Sequence, residues 1–158
     1  MVNVRPITRA DFDQWKPLWD GYNAFYGRLD ETALPAEITH KTWNRFLDPG
    51  EPINALVAET DGQLLGLVHY IFHRSTTLME PTCYLQDLFT KDTERGKGIG
   101  RALIEAVYEK AQAAGTRGCT GTPTDQTPQD ATYMTKWPNT ADFWSTRGPS
   151  SHNGVEEP

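Results

Sequence analysis

Apolar residues recur between Val2 and Gly115 with two different periods, and the period indicates the type of each element. The segment after Thr8 carries large aromatic residues at steps of three and four, which is typical of an amphipathic helix. These residues are Phe12, Trp15, Trp19, Tyr22 and Tyr26. Pro17 and Gly21 interrupt the stripe, so we expect a kinked or two-part helix.

The flanks of this helix carry signals of their own. Residues 2–6 alternate apolar and polar side chains, which predicts an edge strand that ends at Pro6. Thr8 is a predicted N-cap, with Asp11 placed to complete a capping box. A second helix is predicted before the turn Asp48-Pro49-Gly50. Its pattern-forming residues are Ile38, Thr42, Trp43, Phe46 and Leu47.

Strand patterns dominate the middle of the chain. Ile53–Thr60 and Gln63–His73 are predicted strands joined at Asp61-Gly62, because Asp-Gly between apolar runs is the strongest short hairpin signal. Thr82–Thr90 is predicted as a third strand. A helix follows over residues 98–114, with Gly115 as its C-terminal cap. Its predicted buried stripe consists of Leu103, Ile104, Val107 and Ala111. The expected order is β-α-α-β-β-β-α.

Composition sets the class of protein. A chain of 158 residues and 17.8 kDa suits one domain, residues 1–158. A net charge of -6 argues against broad nucleic-acid binding. No apolar run reaches the roughly 20 residues of a membrane span, and the N-terminus lacks a signal peptide's apolar segment. Cys83 and Cys119 form no disulfide framework, so we expect a cytoplasmic protein.

A glycine-rich loop precedes the last predicted helix, and it carries the clearest candidate chemistry. Glycines and cations alternate there. The glycines are Gly96, Gly98 and Gly100, and the cations are Arg95, Lys97 and Arg101. Unpaired N–H groups and the helix dipole favour an anion at a helix start, and glycine lets it approach closely. A diphosphate site is therefore predicted, against the alternative of glycines that only form a tight turn.

The spacing excludes two commoner phosphate loops. No Ser or Thr follows Gly-Lys, as a P-loop requires, and the glycines are spaced G-x-G-x-G rather than G-x-G-x-x-G. Arg-x-x-Gly-x-Gly after a strand ending in Leu-Phe-Thr instead resembles the acetyl-CoA signature of the GNAT superfamily of N-acetyltransferases. The resemblance implies an α/β (α+β) fold, in which helices flank a mixed central sheet.

Within that superfamily the chain most resembles small histone/polyamine (spermidine/spermine-like) enzymes. These show Y-L-E-D-F-F-V followed by R-G-x-G-I-G, where this chain has Y-L-Q-D-L-F-T and R-G-K-G-I-G. The resemblance implies that acetyl-CoA is the cosubstrate and that its pantetheine arm pairs with the backbone of Leu88, Phe89 and Thr90. It also implies a set of residues that hold the pyrophosphate. These residues are Arg95, Gly96, Lys97, Gly98, Ile99, Gly100 and Arg101.

Proton removal is where the chain departs from those relatives. Gln86 stands at the position of their proposed general base, and an amide cannot take a proton. Asp87 is the neighbouring carboxylate and our candidate base, although strand alternation sends the two side chains to opposite faces. A structural role for Asp87, hydrogen bonding to neighbouring loops, is the alternative.

Aromatic residues and histidines complete the candidate list. Trp19, Tyr22 and Tyr26 are candidates to line an amine pocket through cation–π contact, with core packing as the alternative. His69 and His73 without a third ligand make a poor zinc site, so we expect satisfied or surface histidines and no metal.

The composition changes after Gly115. Residues 116–158 contain no Leu or Ile and only one Val, which is the composition of a chain that cannot build a core. In a reading frame shifted from Gly118 on, each new codon joins the last base of one codon of the chain to the first two bases of the next. The genetic code then permits an amino-acid string that contains L-Y-D-K and S-G-F. This string resembles the end of a GNAT domain. We therefore expect residues 1–115 to be family-like and residues 116–158 to be out of frame. A natural, divergent, loop-rich tail is the alternative.

These expectations combine into one functional hypothesis. The chain is predicted to transfer an acetyl group from acetyl-CoA to a primary amine of a small molecule or protein. The predicted partner is a polyamine-like or lysine-like amine, with no nucleic acid or membrane and with a possible homodimer. The alternatives are a catalytically impaired acyl-CoA-binding domain and a defective frameshifted product.

Overall fold

Five strands form one sheet in the computed structural model, which describes residues 1–116 and 118–121. The strands are β1 Asn3–Pro6, β2 Ile53–Thr60, β3 Gln63–His73, β4 Thr82–Thr90 and β5 Cys119–Gly121. They lie side by side in the order β1-β2-β3-β4-β5. The first three pairings are antiparallel and β4 pairs with β5 in parallel, so the sheet is mixed. The predicted fold class is confirmed.

The hairpin between β2 and β3 turns at the two predicted residues. Thr60 pairs with Gln63, and both loop residues have left-handed backbone, with φ of 50° at Asp61 and 77° at Gly62. Two positive φ values are the requirement of a type I′ turn, whose twist matches that of the strands. The hairpin prediction and the bounds predicted for the three longest strands are confirmed.

Three α-helices of the described segment pack against the sheet. They are α1 Phe12–Phe25, α2 Ala36–Phe46 and α3 Ile99–Ala113, and short 3-10 turns cover Arg9–Asp11, Asp30–Thr32 and Asp92–Glu94. The order β-α-α-β-β-β-α is confirmed. Among the described residues, no helix is long and apolar enough to cross a membrane.

α1 is one continuous helix, so of the two predicted forms, kinked or two-part, the two-part form is wrong. Pro17 lies inside it and removes one intrahelical N–H donor, but Trp15, Leu18 and Trp19 around it are buried. Gly21 does not break the helix either. A Cβ at Gly21 would lie 2.7 Å from Cζ of Phe89, so this glycine makes room for the Phe89 ring between α1 and β4.

Of the residues predicted to form the pattern of α2, Trp43 is buried and Phe46 and Leu47 pack against the core, whereas Ile38 is exposed. Ile38 is 45% exposed, whereas Thr39 and Trp43 are buried. The reason is aromatic packing: the Trp43 ring centroid lies 5.0 Å from that of Trp15 and 5.1 Å from that of Phe12. Two large ring contacts outweigh the burial of one Ile side chain.

The two faces of the sheet carry different cores. Alternate residues of β2 and β3 join the aromatic cluster of α1 and α2, among them Ala55, Val57 and Leu67. On the other face α3 buries its predicted stripe, Leu103, Ile104, Val107 and Ala111. Gly66 permits this approach, since a Cβ there would lie 2.8 Å from the Phe89 carbonyl oxygen and 3.1 Å from Cδ1 of Leu103.

The predicted capping box at Thr8 is present and is part of a partly buried charge cluster. The Thr8 N–H donates to the Asp11 carboxylate at 2.7 Å, and both Arg5 guanidinium NH₂ groups donate to the same carboxylate at 2.8 Å. Hydrogen bonding from Arg5, followed by that from Thr8, lowers the pKa of Asp11 to about 2. Glu59 on β2 also pairs with Arg5, so these contacts fix β1 to the start of α1.

β5 lies in the segment after Gly115, whose composition predicted that it builds no core. Its residues Cys119–Gly121 pair with Cys83, Tyr84 and Leu85 of β4. Small and polar residues suffice here because backbone hydrogen bonds to an existing strand form the pair. Residue 117 and residues 122–158 lie outside the described residues, and the frameshift prediction lies largely on them.

Candidate active site

Two glycines shape the start of α3. Gly96 and Gly98 have φ of 77° and 81°, a left-handed conformation that L side chains rarely adopt, and no atom lies within 4 Å of a Cβ built at either position. Gly98 is the N-cap, and its carbonyl accepts the Ala102 N–H at 3.0 Å. The N–H groups of the first turn have no intrahelical acceptor. The loop thus leaves open space beside these N–H groups.

The predicted cations lie around this helix start and pair with acidic side chains near them in sequence. The pairs are Arg95–Asp92 at 2.8 Å, Lys97–Glu94 at 3.0 Å and Arg101–Glu105 at 2.7 Å. All three cationic side chains are at least 43% exposed. Exposed ion pairs contribute only about 0–1 kcal/mol each, so an anion at the helix start can compete for these cations at little cost.

The end of β4 lies next to this loop in sequence. Leu88, Phe89 and Thr90 are half-buried, and they pair on one side with Val68, Leu67 and Gly66 of β3. On the other side, β5 pairs only with residues 83–85 of β4 within the described part of the chain. This edge of β4 faces away from β3, where an extended ligand could add hydrogen bonds like those of a further strand.

A bulge sets the direction of Asp87. His69 pairs with Asp87 and Tyr70 pairs with Leu85, so Gln86 is the extra residue of β4. His69 and Tyr70 are adjacent residues of β3, so their side chains lie on opposite faces of the sheet. Their partners Asp87 and Leu85 therefore also lie on opposite faces, whereas residues two positions apart in a regular strand share a face. Gln86 is exposed, and Asp87 is buried on the face of the sheet that α1 covers.

Asp87 belongs to a buried polar network. Nδ1 of His69 lies 2.9 Å from its carboxylate, and Nε1 of Trp15 donates to Nε2 of the same ring at 3.2 Å. Nε2 therefore accepts, and Nδ1 carries the proton that it donates to Asp87. Burial raises the pKa of Tyr22, and so do its hydrogen bond to Asp87 and the charge of that carboxylate. Asp87 thus joins β3, β4 and α1.

The three candidate aromatic residues of α1 have different environments. Trp19 and Tyr22 are 7% and 8% exposed and stack on each other with ring centroids 5.4 Å apart, which is core packing. Tyr26 is 39% exposed, and its ring centroid lies 5.0 Å from that of Tyr22. Within the described residues, Nε1 of Trp19 is buried without a hydrogen-bond partner. Tyr26 is therefore the most accessible of the three.

A cavity of about 340 Å³ opens between α1, the turn Asp30–Thr32 and α2. Its lining carries both signs of charge, from Lys16, Asp20, Arg28 and Asp30. Arg28 donates to Oδ1 of the buried Asn23 at 3.1 Å, and its charge acts on the neighbouring Tyr22. The cavity can therefore receive a small polar or zwitterionic molecule.

Sequence reasoning missed the role of His69. The His69 ring is fully buried, and both of its nitrogens have hydrogen-bond partners. This matches the predicted alternative of a satisfied rather than a surface histidine, but its partner Asp87 was not predicted. His73 is exposed. The hydrogen bonds of Asp87 come from β3 and α1 rather than from loops. Only the bulged register of β3 and β4 brings the two side chains together, and a sequence pattern carries no signal for it.

Comparison with known proteins identifies the family. The Acetyltransferase (GNAT) family matches residues 15–134. The D-amino-acid N-acetyltransferase HPA3 of Saccharomyces cerevisiae (strain ATCC 204508 / S288c) is 36% identical over 122 residues, which cover 73% of this chain and 73% of that protein.

Solved structures show the same fold. A transcriptional regulator from Bacillus halodurans C-125 superposes with a TM-score of 0.68 at 22% identity and covers 99% of both chains. AAC(6')-Iy, in complex with the bisubstrate analogue CoA-S-monomethyl-acetylneamine, superposes with a TM-score of 0.64 at 15% identity, over 99% of this chain and 96% of that one. With its glycine-led α3, its mixed sheet and this family match, the chain belongs to the GNAT family of acetyltransferases.

Proposed function

We propose that this protein is a cytoplasmic, acetyl-CoA-dependent N-acetyltransferase that acts on the primary amine of a small molecule. The observation that carries the proposal is the start of α3. Two left-handed glycines, Gly96 and Gly98, open it to an anion directly after the edge of β4 that no described strand covers. Acetyl-CoA combines an extended arm with a diphosphate. The edge of β4 matches the arm, and the glycine loop that follows it in the chain matches the diphosphate.

The residues present fit this cosubstrate. The N–H groups of Gly98, Ile99 and Gly100 lie at the helix start, where the dipole favours a diphosphate. The exposed side chains of Arg95, Lys97 and Arg101 can turn from their acidic partners toward it. The backbone of Leu88, Phe89 and Thr90 can pair with the arm. Acetyl-CoA supplies an activated acetyl thioester, and the protein's part is to position it beside the amine.

Asp87 is the proposed proton acceptor. Its carboxylate is 6% exposed and is held by His69 on one side, while Tyr22 binds it from α1. A proton leaving the amine can reach the carboxylate directly or through the Tyr22 hydroxyl, which passes its own proton on to Asp87. The buried network fixes the carboxylate and keeps bulk water away from it.

Two classes of amine compete as the acceptor. The 36% identity to a D-amino-acid N-acetyltransferase favours an amino acid. The cavity between α1 and α2 agrees, since Arg28 can bind a carboxylate and Asp20 or Asp30 an ammonium group. A polyamine-like or lysine-like amine is the second candidate, favoured by the net charge of -6. The possible homodimer stays a prediction.

An acetylation assay tests this proposal. The purified protein is mixed with acetyl-CoA and, in separate reactions, with D-amino acids, L-amino acids, lysine and spermidine. Thiol release from CoA and the mass of the product are followed. We expect amine-dependent release with at least one of these classes. The Asp87→Asn variant should lower kcat by roughly 10²–10⁴-fold with acetyl-CoA binding unchanged, because Asn cannot take the proton.

Gln86→Glu is the matched control for this variant. It restores the acid that related enzymes carry, but at an exposed position beside the bulge. If Asp87 accepts the proton, Gln86→Glu should leave kcat within a few fold of the natural protein. Binding of acetyl-CoA without transfer to any amine would instead support the acyl-CoA-binding alternative.

A further inference from the structure

The two cysteines of the described chain lie side by side. Cys83 of β4 and Cys119 of β5 are partners in the parallel register, and their Sγ atoms are 3.2 Å apart. The Cys83 N–H also donates to the Gly118 carbonyl at 3.4 Å, which holds the start of β5 against β4. Both thiols are free. A shift of roughly 1 Å would bring the sulfur atoms to the distance of a covalent bond.

The two thiols differ in access and in acidity. Cys83 is fully buried, and Cys119 is partly exposed. The hydrogen bond between the thiols lowers the pKa of Cys119, and the Leu85 N–H contributes in the same direction. The same contact raises the pKa of Cys83, as does its burial. The thiolate therefore forms on the cysteine that solvent reaches, which is the arrangement of a reactive thiol beside a resolving one.

We propose that Cys83 and Cys119 form a site of oxidative modification, in which a peroxide converts the pair to a disulfide that links β4 to β5. The Cys119 thiolate attacks one peroxide oxygen, the O–O bond breaks, and a sulfenic acid and water form after protonation. The Cys83 sulfur then attacks the sulfenic sulfur, an S–S bond forms, and the hydroxyl leaves as water with the Cys83 proton. Two thiols lose two electrons, and the peroxide gains them.

The link would act on the segment that carries the active-site loop. Cys83 and Cys119 are 36 positions apart, and the chain between them contains the end of β4, the glycine loop and α3. Closing a loop of this length restricts the unfolded chain and stabilises the folded one. Acetyl transfer has no part in this chemistry, so the oxidation can be measured without a substrate.

Mass spectrometry of the oxidised protein tests the proposal. The full chain is reduced, freed of reductant and treated with one equivalent of hydrogen peroxide. We expect a monomer lighter by about 2 Da and a peptide pair joined through Cys83 and Cys119 after digestion without reductant. The midpoint of thermal unfolding should rise by roughly 5–15 °C, and dithiothreitol should reverse both changes.

Cys119→Ser is the control, because it keeps the size of the side chain and removes the attacking thiol. The same treatment should leave its mass and unfolding midpoint unchanged. Peptide mapping of the natural protein decides the matter even if this variant does not fold. Oxidation that only adds oxygen atoms to Cys119, or that joins two chains without an intrachain Cys83–Cys119 peptide, would overturn the proposal.

Discussion

Single charged side chains fix the start of the fold, and Asp11 is the clearest case. It is 5% exposed, and its carboxylate accepts hydrogen bonds from the Arg5 guanidinium and from Thr8. A buried carboxylate that lost these donors would carry an unpaired charge, which costs more than the pair contributes. The capping box could be predicted from Thr8 and Asp11 in the sequence. The ion pair with Arg5 depends on how β1 lies beside α1.

Asp11 therefore predicts an acid-dependent part of the stability. Its pKa is about 2 in the folded protein and 3.8 ordinarily, so the ionised form is favoured by folding. The contribution, about 2 kcal/mol, is fully present above pH 3.8 and is lost as the pH falls toward 2. Urea unfolding of Asp11→Asn should show about this loss at pH 7 and a weaker dependence on pH below 4. The control is Asp13→Asn, at an exposed position nearby, and its free energy of unfolding should match that of the natural protein at each pH. Equal unfolding curves for the natural protein, Asp11→Asn and Asp13→Asn would refute this explanation.

The site residues illustrate what a pattern can and cannot supply. The glycine loop could be predicted because its chemistry lies in consecutive residues, Arg95 to Arg101. The network of Asp87, His69 and Tyr22 could not, because it joins three elements through a bulge at Gln86. Strand alternation assigns successive side chains to the two faces of a sheet. A single extra residue at a bulge reverses that assignment for the residues that follow it in the strand.

At the scale of elements, the packing of α3 on the sheet positions the predicted diphosphate site. Both ends of α3 are left-handed glycines, Gly98 at the N-cap and Gly115 after the last turn. Its buried stripe could be predicted from the helical period. Its distance from the sheet could not, because Gly66 sets it by having no side chain, and a strand pattern does not show which glycine meets a helix.

Gly66→Ala should therefore destabilise the protein. The new Cβ would meet the Phe89 carbonyl oxygen at 2.8 Å and Cγ2 of Ile99 at 3.2 Å, so β4 or α3 must shift. We expect a loss of roughly 1–3 kcal/mol in the free energy of unfolding and weaker binding of acetyl-CoA. Gly118→Ala is the control, since no atom lies within 4 Å of its Cβ. Equal unfolding curves for the two variants would show that α3 does not depend on Gly66.

At the scale of the whole molecule, the sequence predicted the order of elements, because hairpin and helix signals are local. The mixed sheet was implied by the resemblance to GNAT enzymes. The continuity of α1, the exposure of Ile38 on α2 and the pairing of β5 depend on distant partners such as Phe89, Trp15 and Cys83. The out-of-frame reading of residues 116–158 remains a prediction. The DNA sequence across codons 112–120 would decide it.

Binding of acetyl-CoA to two glycine variants tests the central claim most directly. Gly98 and Gly115 have φ of 81° and 73° and open space at Cβ, and Asn tolerates this conformation better than most residues. Gly98→Asn and Gly115→Asn thus strain the two ends of α3 alike, but only the first places a side chain where the diphosphate should lie. By titration calorimetry we expect Gly115→Asn to bind like the natural protein and Gly98→Asn to bind at least roughly tenfold more weakly. Equal affinity of the two variants would contradict a diphosphate site at the start of α3.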